Sequence, residues 1–246
     1  MENVEYKKIA DFEKSYWWHL GKIHLLNSLL NTYLRPSEKP LIMEIGCGTG
    51  EVLKALAKRG EVIGLDISTQ ALSFSKKLGM KNLILGDFNE LDLTPYKNKL
   101  DAVVALDVLE HIQADLKAIK RVHEILKKDG LFFVNVPAHK FLWSEHDEAL
   151  HHKRRYRMNE ITKKLEDGGF KVIKRTYFVS FAFPAIAFFR VWSNFFGRNI
   201  YPKTSYVLLP AFLNSLMLKM LKFEAFIVTH GFLPMGTTVA IVAQRR

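Results

Sequence analysis

Leu41-Ile42-Met43-Glu44-Ile45-Gly46-Cys47-Gly48-Thr49-Gly50 is a short apolar run that ends in an acid and then in three glycines at alternate positions. A helical pattern follows it. The stretch therefore reads as a buried strand, a tight turn and the start of a helix. Glycine has no Cβ, takes φ > 0 readily and lets a ligand approach the backbone. The first N–H groups of the next helix face whatever lies above such a turn.

Phosphate-binding readings of this turn fail on register. A dinucleotide fingerprint starting at Gly46 needs glycine where Glu51 stands, and one starting at Gly48 needs glycine where Leu53 stands. A Walker loop needs Gly-Lys-Ser/Thr at its end, and that is missing. Glu44 and Glu51 add negative charge on both sides, which a pyrophosphate would resist. A ligand with an amino group or a sulfonium would not, so the turn suits a cationic nucleoside.

Outward from the turn, the pattern repeats. Residues 51–59 read as a helix, and Glu61 to Ile67 as a second buried strand ending in Asp66. An acid there suits the hydroxyls of a ribose. A helix over 68–78 leads to a third strand, Leu83 to Phe88, which ends in Asp87-Phe88: an acceptor for an amino group and a ring to lie against a base. A fourth strand, Leu100 to Leu106, runs into Asp107-Val108-Leu109-Glu110-His111. A helix over 114–127 and a turn at Lys127-Lys128-Asp129-Gly130 precede a fifth strand, Leu131 to Val136, stopped by Pro137. Short apolar strands alternating with helices predict a doubly wound, mostly parallel α/β sheet. Ligands in such sheets bind beyond the carboxyl ends of the strands. Glu44, Asp66, Asp87 and Asp107 all stand at such ends.

At the N-terminal side, residues 1–40 are expected to form a helical lead-in, with Phe12, Tyr16, Leu20, Ile23, Leu26, Leu30 and Leu34 on one stripe and Pro36 and Pro40 in the exit. Trp17-Trp18 reads as a packing pair or as part of a lid that brings Trp18 over the ligand. At the C-terminal side, a helix over 159–167 precedes a sixth strand, Phe170 to Phe178, and Thr237 to Val242 forms a seventh. Residues 41–178 are the expected core, and 236–246 hold its last strand. Between the last two strands lies an apolar, aromatic insertion, 179–235. Charges interrupt it at Arg190, Lys219, Lys222 and Glu224, so two amphipathic helices split near Gly197 to Pro202 are expected rather than a membrane span. It would serve as a cap over the sheet, a homodimer interface or a peripheral membrane contact.

Composition bounds the rest. The 246 residues suit one large domain, and 48% hydrophobic content supplies a core. The lone cysteine, Cys47, excludes an internal disulfide and a multi-cysteine zinc site. The acidic start Met1-Glu2-Asn3-Val4-Glu5 lacks the apolar region of a signal peptide, so a cytoplasmic location is expected. A net charge of +11 points to an anionic partner or to a well-solvated surface.

Taken in order, these segments resemble the class I S-adenosylmethionine-dependent methyltransferases over about residues 38–180. The resemblance implies a methyl-transfer enzyme with S-adenosyl-L-methionine as cofactor. It places Glu44, Gly46, Cys47, Gly48 and Gly50 around the methionine portion, Asp66 and Ile67 at the ribose, Asp87 and Phe88 at the adenine, and Asp107 where the methyl group faces the acceptor. Trp18-His19, Asn135-Val136-Pro137-Ala138 and Arg154-Arg155-Tyr156 resemble a small-molecule branch similar to ubiquinone- and polyketide-type enzymes. His111 is the candidate base, because a histidine of ordinary pKa, about 6.5, suits proton abstraction near neutrality. The run from Trp143 to Arg157 should overhang the acceptor, with His146, His151, Arg155 and Tyr156 as its contacts and the guanidinium groups suited to a phosphate or carboxylate. Asp147 and His151 at i, i+4 would share a helix face; without a further ligand set, no metal is expected. The alternatives are an RNA methyltransferase or nucleic-acid-binding module, disfavoured by the single short basic run, and a nicotinamide oxidoreductase, disfavoured by the glycine register.

Overall fold

In the computed structural model, described for residues 11–35, 39–196 and 209–246, seven strands form one sheet in the order β3-β2-β1-β4-β5-β7-β6. The strands are β1 (Leu41–Ile45), β2 (Glu61–Asp66), β3 (Leu83–Leu85), β4 (Leu100–Leu106), β5 (Leu126–Pro137), β6 (Phe170–Phe178) and β7 (Thr238–Arg245). The helices are α1 (Trp17–Tyr33), α2 (Glu51–Leu56), α3 (Thr69–Lys77), α4 (Asp115–Ile125), α5 (Glu145–Ala149), α6 (Met158–Asp167), α7 (Phe183–Phe196) and α8 (Ala211–His230). Strands β1 to β5 are parallel, and β7 enters antiparallel between β5 and β6. The expected doubly wound sheet is the one found.

Its centre is apolar because both faces are covered. One face packs under α4 and α6, through Ile119, Val122, Ile161 and Leu165. The other packs under α1 and α8, through Leu25, Leu29, Leu221, Ala225 and Val228. The insertion thus supplies part of the core cover. Leu221 is fully buried, and a Cβ on Gly21 of α1 would meet its Cδ1 at 2.2 Å. That close approach of two helices is why residue 21 is a glycine. Glu224 is also buried and accepts hydrogen bonds from Ser180 N at 3.0 Å and Phe181 N at 2.7 Å, pinning α8 to the end of β6.

Two expectations need correction. The turn at 127–130 lies within β5, where Asp129 takes φ 63° and the pairing with β4 shifts register between Leu100 and Ala102. The strand also runs one residue past Val136 and ends on Pro137 itself. Pro137 faces Thr238 of β7, a place where a proline costs little because the ladder ends there. The expected break near Gly197 to Pro202, the exit at Pro36 and the start Met1 to Glu5 lie outside the described residues.

Leu221→Ala is expected to lower the unfolding free energy by about 2–5 kcal/mol, read from equilibrium urea unfolding. A loss under 1 kcal/mol would mean that α8 is not a core element.

Candidate active site

The strand order reverses between β1 and β4, and there the glycine turn meets the loop after β4. A Cβ on Gly46 (φ 68°) would meet Val108 Cγ2 at 2.5 Å, so only glycine lets the two turns touch. Gly50 (φ 95°) presses similarly on Ser75, whose hydroxyl donates to Gly48 O at 2.9 Å. Gly48 (φ 52°) has nothing within 4 Å of its Cβ position. The middle of the turn therefore opens onto space while its two ends are locked.

Carboxylates gather around that opening. Glu44 is buried, and its Oε2 has no hydrogen-bond partner among the described residues. Burial first, then the neighbouring Glu13 and Asp66, hold it well above the ordinary carboxylate range. Asp66 accepts from Gly48 N and Ser68 N, each at 2.9 Å. Glu13 arrives from the N-terminal segment, accepts the Thr49 hydroxyl, and is pushed up to about 7 by burial against the opposing pull of Lys22. Ile67, beside Asp66, is 74% exposed on the rim. Asp87 accepts from Asn89 N at 2.8 Å.

Phe88 departs from its expected place: its ring is buried in the core with the Arg121 guanidinium 5.7 Å from its centroid, so it does not line the opening. Cys47 is likewise turned inward, its Sγ 2.9 Å from the Cβ position of Gly64, and burial raises its thiol far above the usual range. Trp18 is half-buried and meets Trp17 edge-on at 5.5 Å.

Asp107, at φ 55°, ends β4 with its Oδ2 2.6 Å from Lys22 Nζ of α1. Burial would raise this carboxyl, but the Lys22 charge and hydrogen bond win and hold it low. Lys22 was missed in the sequence because nothing in a helical stripe marks which polar residue crosses to another strand end. Beyond Asp107, Glu110 is fully buried with neither carboxylate oxygen hydrogen-bonded among the described residues, and burial, then Asp107, keep it well above its ordinary range. The His111 ring lies 4.7 Å from that of His152, edge to face. Desolvation and then His152 lower His111 to about 4, so it is neutral at pH 7.

The loop after β5 is wired differently from the expectation. After α5 the chain turns at His151 (φ 57°), which is exposed, and His152 folds back with its N–H on Asp147 O at 2.9 Å. His152 Nδ1 then meets Asp147 Oδ1 at 2.9 Å. The helix face shared by Asp147 and His151 does not form. Arg155 is buried, donating from Nε to Asp147 Oδ1 at 2.7 Å and from Nη1 to Ala138 O at 3.0 Å, so it braces the loop instead of facing an acceptor. Tyr156 is buried in the core, its hydroxyl donating to Asp115 Oδ2 at 2.9 Å. Arg154 also pairs with Asp115, at 2.8 Å. His146 stays at the loop, its Nδ1 buried and unpartnered, lowered to about 4 by desolvation and then by Arg190.

One group of the described residues has metal-ligand geometry. Ligand atoms of Glu110, His111 and His152 all lie within 4.8 Å of one another. The Asp147 contact at Nδ1 leaves His152 Nε2 on the Glu110 side, 4.0 Å from Oε1, which is how carboxylates orient ligating histidines.

Asp147→Asn is expected to cost about 3–5 kcal/mol, because it leaves the buried Arg155 charge unpaired. Burial would raise the Asp147 carboxyl, but His152 and Arg155, with Arg190 behind them, hold it far below the usual range. A depressed native pKa contributes stability that is present above about pH 4 and lost as pH falls. Thermal unfolding from pH 7 to pH 3 should therefore narrow the gap between wild type and variant; a constant gap would contradict the pairing.

Comparison with known proteins agrees with this geometry. Residues 43–134 match the family described as methyltransferase domain. The chain is 28% identical over 152 residues to the ubiquinone biosynthesis O-methyltransferase of Actinobacillus pleuropneumoniae, a match covering 54% of this chain and 65% of that protein. The Haemophilus ducreyi enzyme of the same name is 27% identical, over 55% and 65%. Among solved structures, a SAM-dependent methyltransferase from Archaeoglobus fulgidus superposes with TM-score 0.60 at 16% identity, over 97% of this chain and 99% of that one. A phosphoethanolamine N-methyltransferase of Haemonchus contortus, solved with S-adenosyl-L-methionine, gives 0.59 at 16%, over 90% and 52%. Through the methyltransferase domain matched at residues 43–134, the sheet order and the glycine turn with its acids, this chain is similar to the class I S-adenosylmethionine-dependent methyltransferases and shares their fold.

Proposed function

We propose that the protein transfers a methyl group from S-adenosyl-L-methionine to a small-molecule acceptor that carries an apolar tail or an anionic group. One observation carries the reading: the buried, unpartnered Oε2 of Glu44 at the foot of a glycine turn that opens at Gly48. A buried carboxylate without a donor is costly unless a ligand supplies one. Burial, Glu13 and Asp66 push Glu44 toward its neutral form, so an ammonium or a sulfonium that offsets their repulsion suits this place. Glu44 and the peptide of Gly48 would hold the amino-acid portion, Asp66 the ribose, and Ile67 and Asp87 the base.

When bound, the cofactor supplies an activated methyl group, so holding the acceptor in line provides much of the acceleration, up to roughly 7–11 kcal/mol. In this reading the residues after β4 receive the acceptor. His111, neutral at pH 7, takes the proton of an acceptor hydroxyl, although its low pKa of about 4 makes it a modest base. Asp147 orients His152, and His152 packs against His111, so the two rings hold their places together.

A hydroxyl on a ring with an apolar tail, as the relatives' printed names suggest, fits these residues. An RNA acceptor is the weaker reading, since Arg154 and Arg155 of the basic run are spent on Asp115 and Asp147. No described helix is long and apolar enough to cross a membrane. A peripheral lipid contact through the insertion would be compatible with this activity and does not depend on it.

Titration calorimetry should detect binding of S-adenosyl-L-methionine and of its demethylated product, with Glu44→Gln weakening both at least about tenfold, near the 1.4 kcal/mol scale of one charged hydrogen bond. No heat from either compound would end the reading. In an acceptor screen that follows the demethylated product, His111→Ala should lower turnover about a hundredfold with cofactor affinity unchanged; unaltered turnover removes His111 from the chemistry.

A further inference from the structure

Helix α8 is apolar on two opposite faces. Leu221, Ala225 and Val228 form the face buried against α1 and the sheet. On the far side, Phe212, Phe223 and Phe226 are 75%, 64% and 60% exposed, and Leu216 and Met220 are exposed with them. At 100° per residue these five fall on one arc, opposite the buried face. Lys219 lies within that arc and Lys222 at its edge, both exposed. The one acid of the helix, Glu224, is on the buried side and spent on Ser180 N and Phe181 N. Such a stripe exceeds the scattered apolar residues of an ordinary surface and calls for a partner.

We infer that the outer face of α8 docks on an anionic lipid surface. Charge decides between this and a second copy of the chain. In a self-complementary contact, the face would bring Lys219 and Lys222 of two copies together, and the helix has no exposed acid to pair with them. An anionic headgroup layer takes the lysines while the phenylalanines enter the acyl boundary, as interfacial helices with basic edges do. The chain's net charge of +11 acts in the same direction. At 20 residues, interrupted by three charges, the helix lies on such a surface and does not span it.

The placement has a consequence for the site. Gly21 of α1 touches Leu221 on the inner face of α8, and the next residue, Lys22, holds Asp107. Docking would therefore set the acceptor end of the site one helix away from the lipid, where an acceptor with an apolar tail resides. That last step rests on the methyl-transfer reading; the docking itself does not.

The test is flotation of the full chain with phosphatidylglycerol-containing vesicles and with pure phosphatidylcholine vesicles, beside light scattering for oligomeric state. Binding is expected to the anionic vesicles only, and to fall about tenfold in high salt. Lys219→Glu/Lys222→Glu should weaken it by at least about tenfold, and Phe223→Ser/Phe226→Ser should abolish it, with the protein monomeric throughout. Calorimetry with S-adenosyl-L-methionine on the same samples checks that the variants are folded. It also separates the two ideas: no cofactor heat with intact flotation removes the enzymatic reading alone. Absence of flotation, equal binding to both vesicle types, or a dimer that the phenylalanine variant dissociates would each overturn the docking.

Discussion

The site depends on a contact that only glycine permits. At the switch point the turn after β1 lies against the loop after β4, with Val108 where a side chain on Gly46 would be. That approach places the foot of one strand, Glu44, near the end of the other, Asp107, and opens the middle of the turn at Gly48. The acids that result are more than the nearby cations balance. Lys22 pairs with Asp107, and Glu44 keeps an oxygen unpartnered. Carboxyls that burial and one another push toward the neutral form would be recharged by a bound cation and pushed further by a phosphate.

Beyond the end of β4, the loop after β5 uses its charges internally. Asp147 receives His152 and Arg155, and Arg190 from α7 stands 3.6 Å away. Asp115 receives Arg154, Lys164 and the Tyr156 hydroxyl. These networks satisfy buried ions that would otherwise be costly, and they fix the His152 ring. The loop's basic composition therefore serves rigidity. Toward the site stand the His152 ring from this loop and, from the loop after β4, the His111 ring and the buried Glu110.

The insertion between β6 and β7 has two functions in the fold. Its second helix closes one face of the sheet together with α1, and its outer face stays apolar. A helix that is apolar on two opposite faces is ordinarily covered on both. Here the inner half is buried by the chain itself, and the outer half is left for a surface outside it.

Strand ends and the glycine turn were readable in sequence because they are local. A buried strand is a short apolar run, its carboxyl end is the next residue or two, and an acid there stands on the rim wherever the strand goes. Asp66, Asp87 and Asp107 were found that way, and Glu44, inside β1 by one residue, is buried just below the rim. Which face a side chain takes beyond the strand end depends on partners far along the chain, and no spacing records them. Phe88 turned into the core beneath Arg121, and Tyr156 reached Asp115. The left-handed turn at His151 gave the Asp147 contact to His152, five residues on, where helical spacing had assigned it to His151. Glu13 and Lys22 entered the site from the N-terminal segment through packing of α1 on α8. Local chain geometry thus determined the architecture and the rim of acids, while long-range packing alone chose which side chains stand beside them.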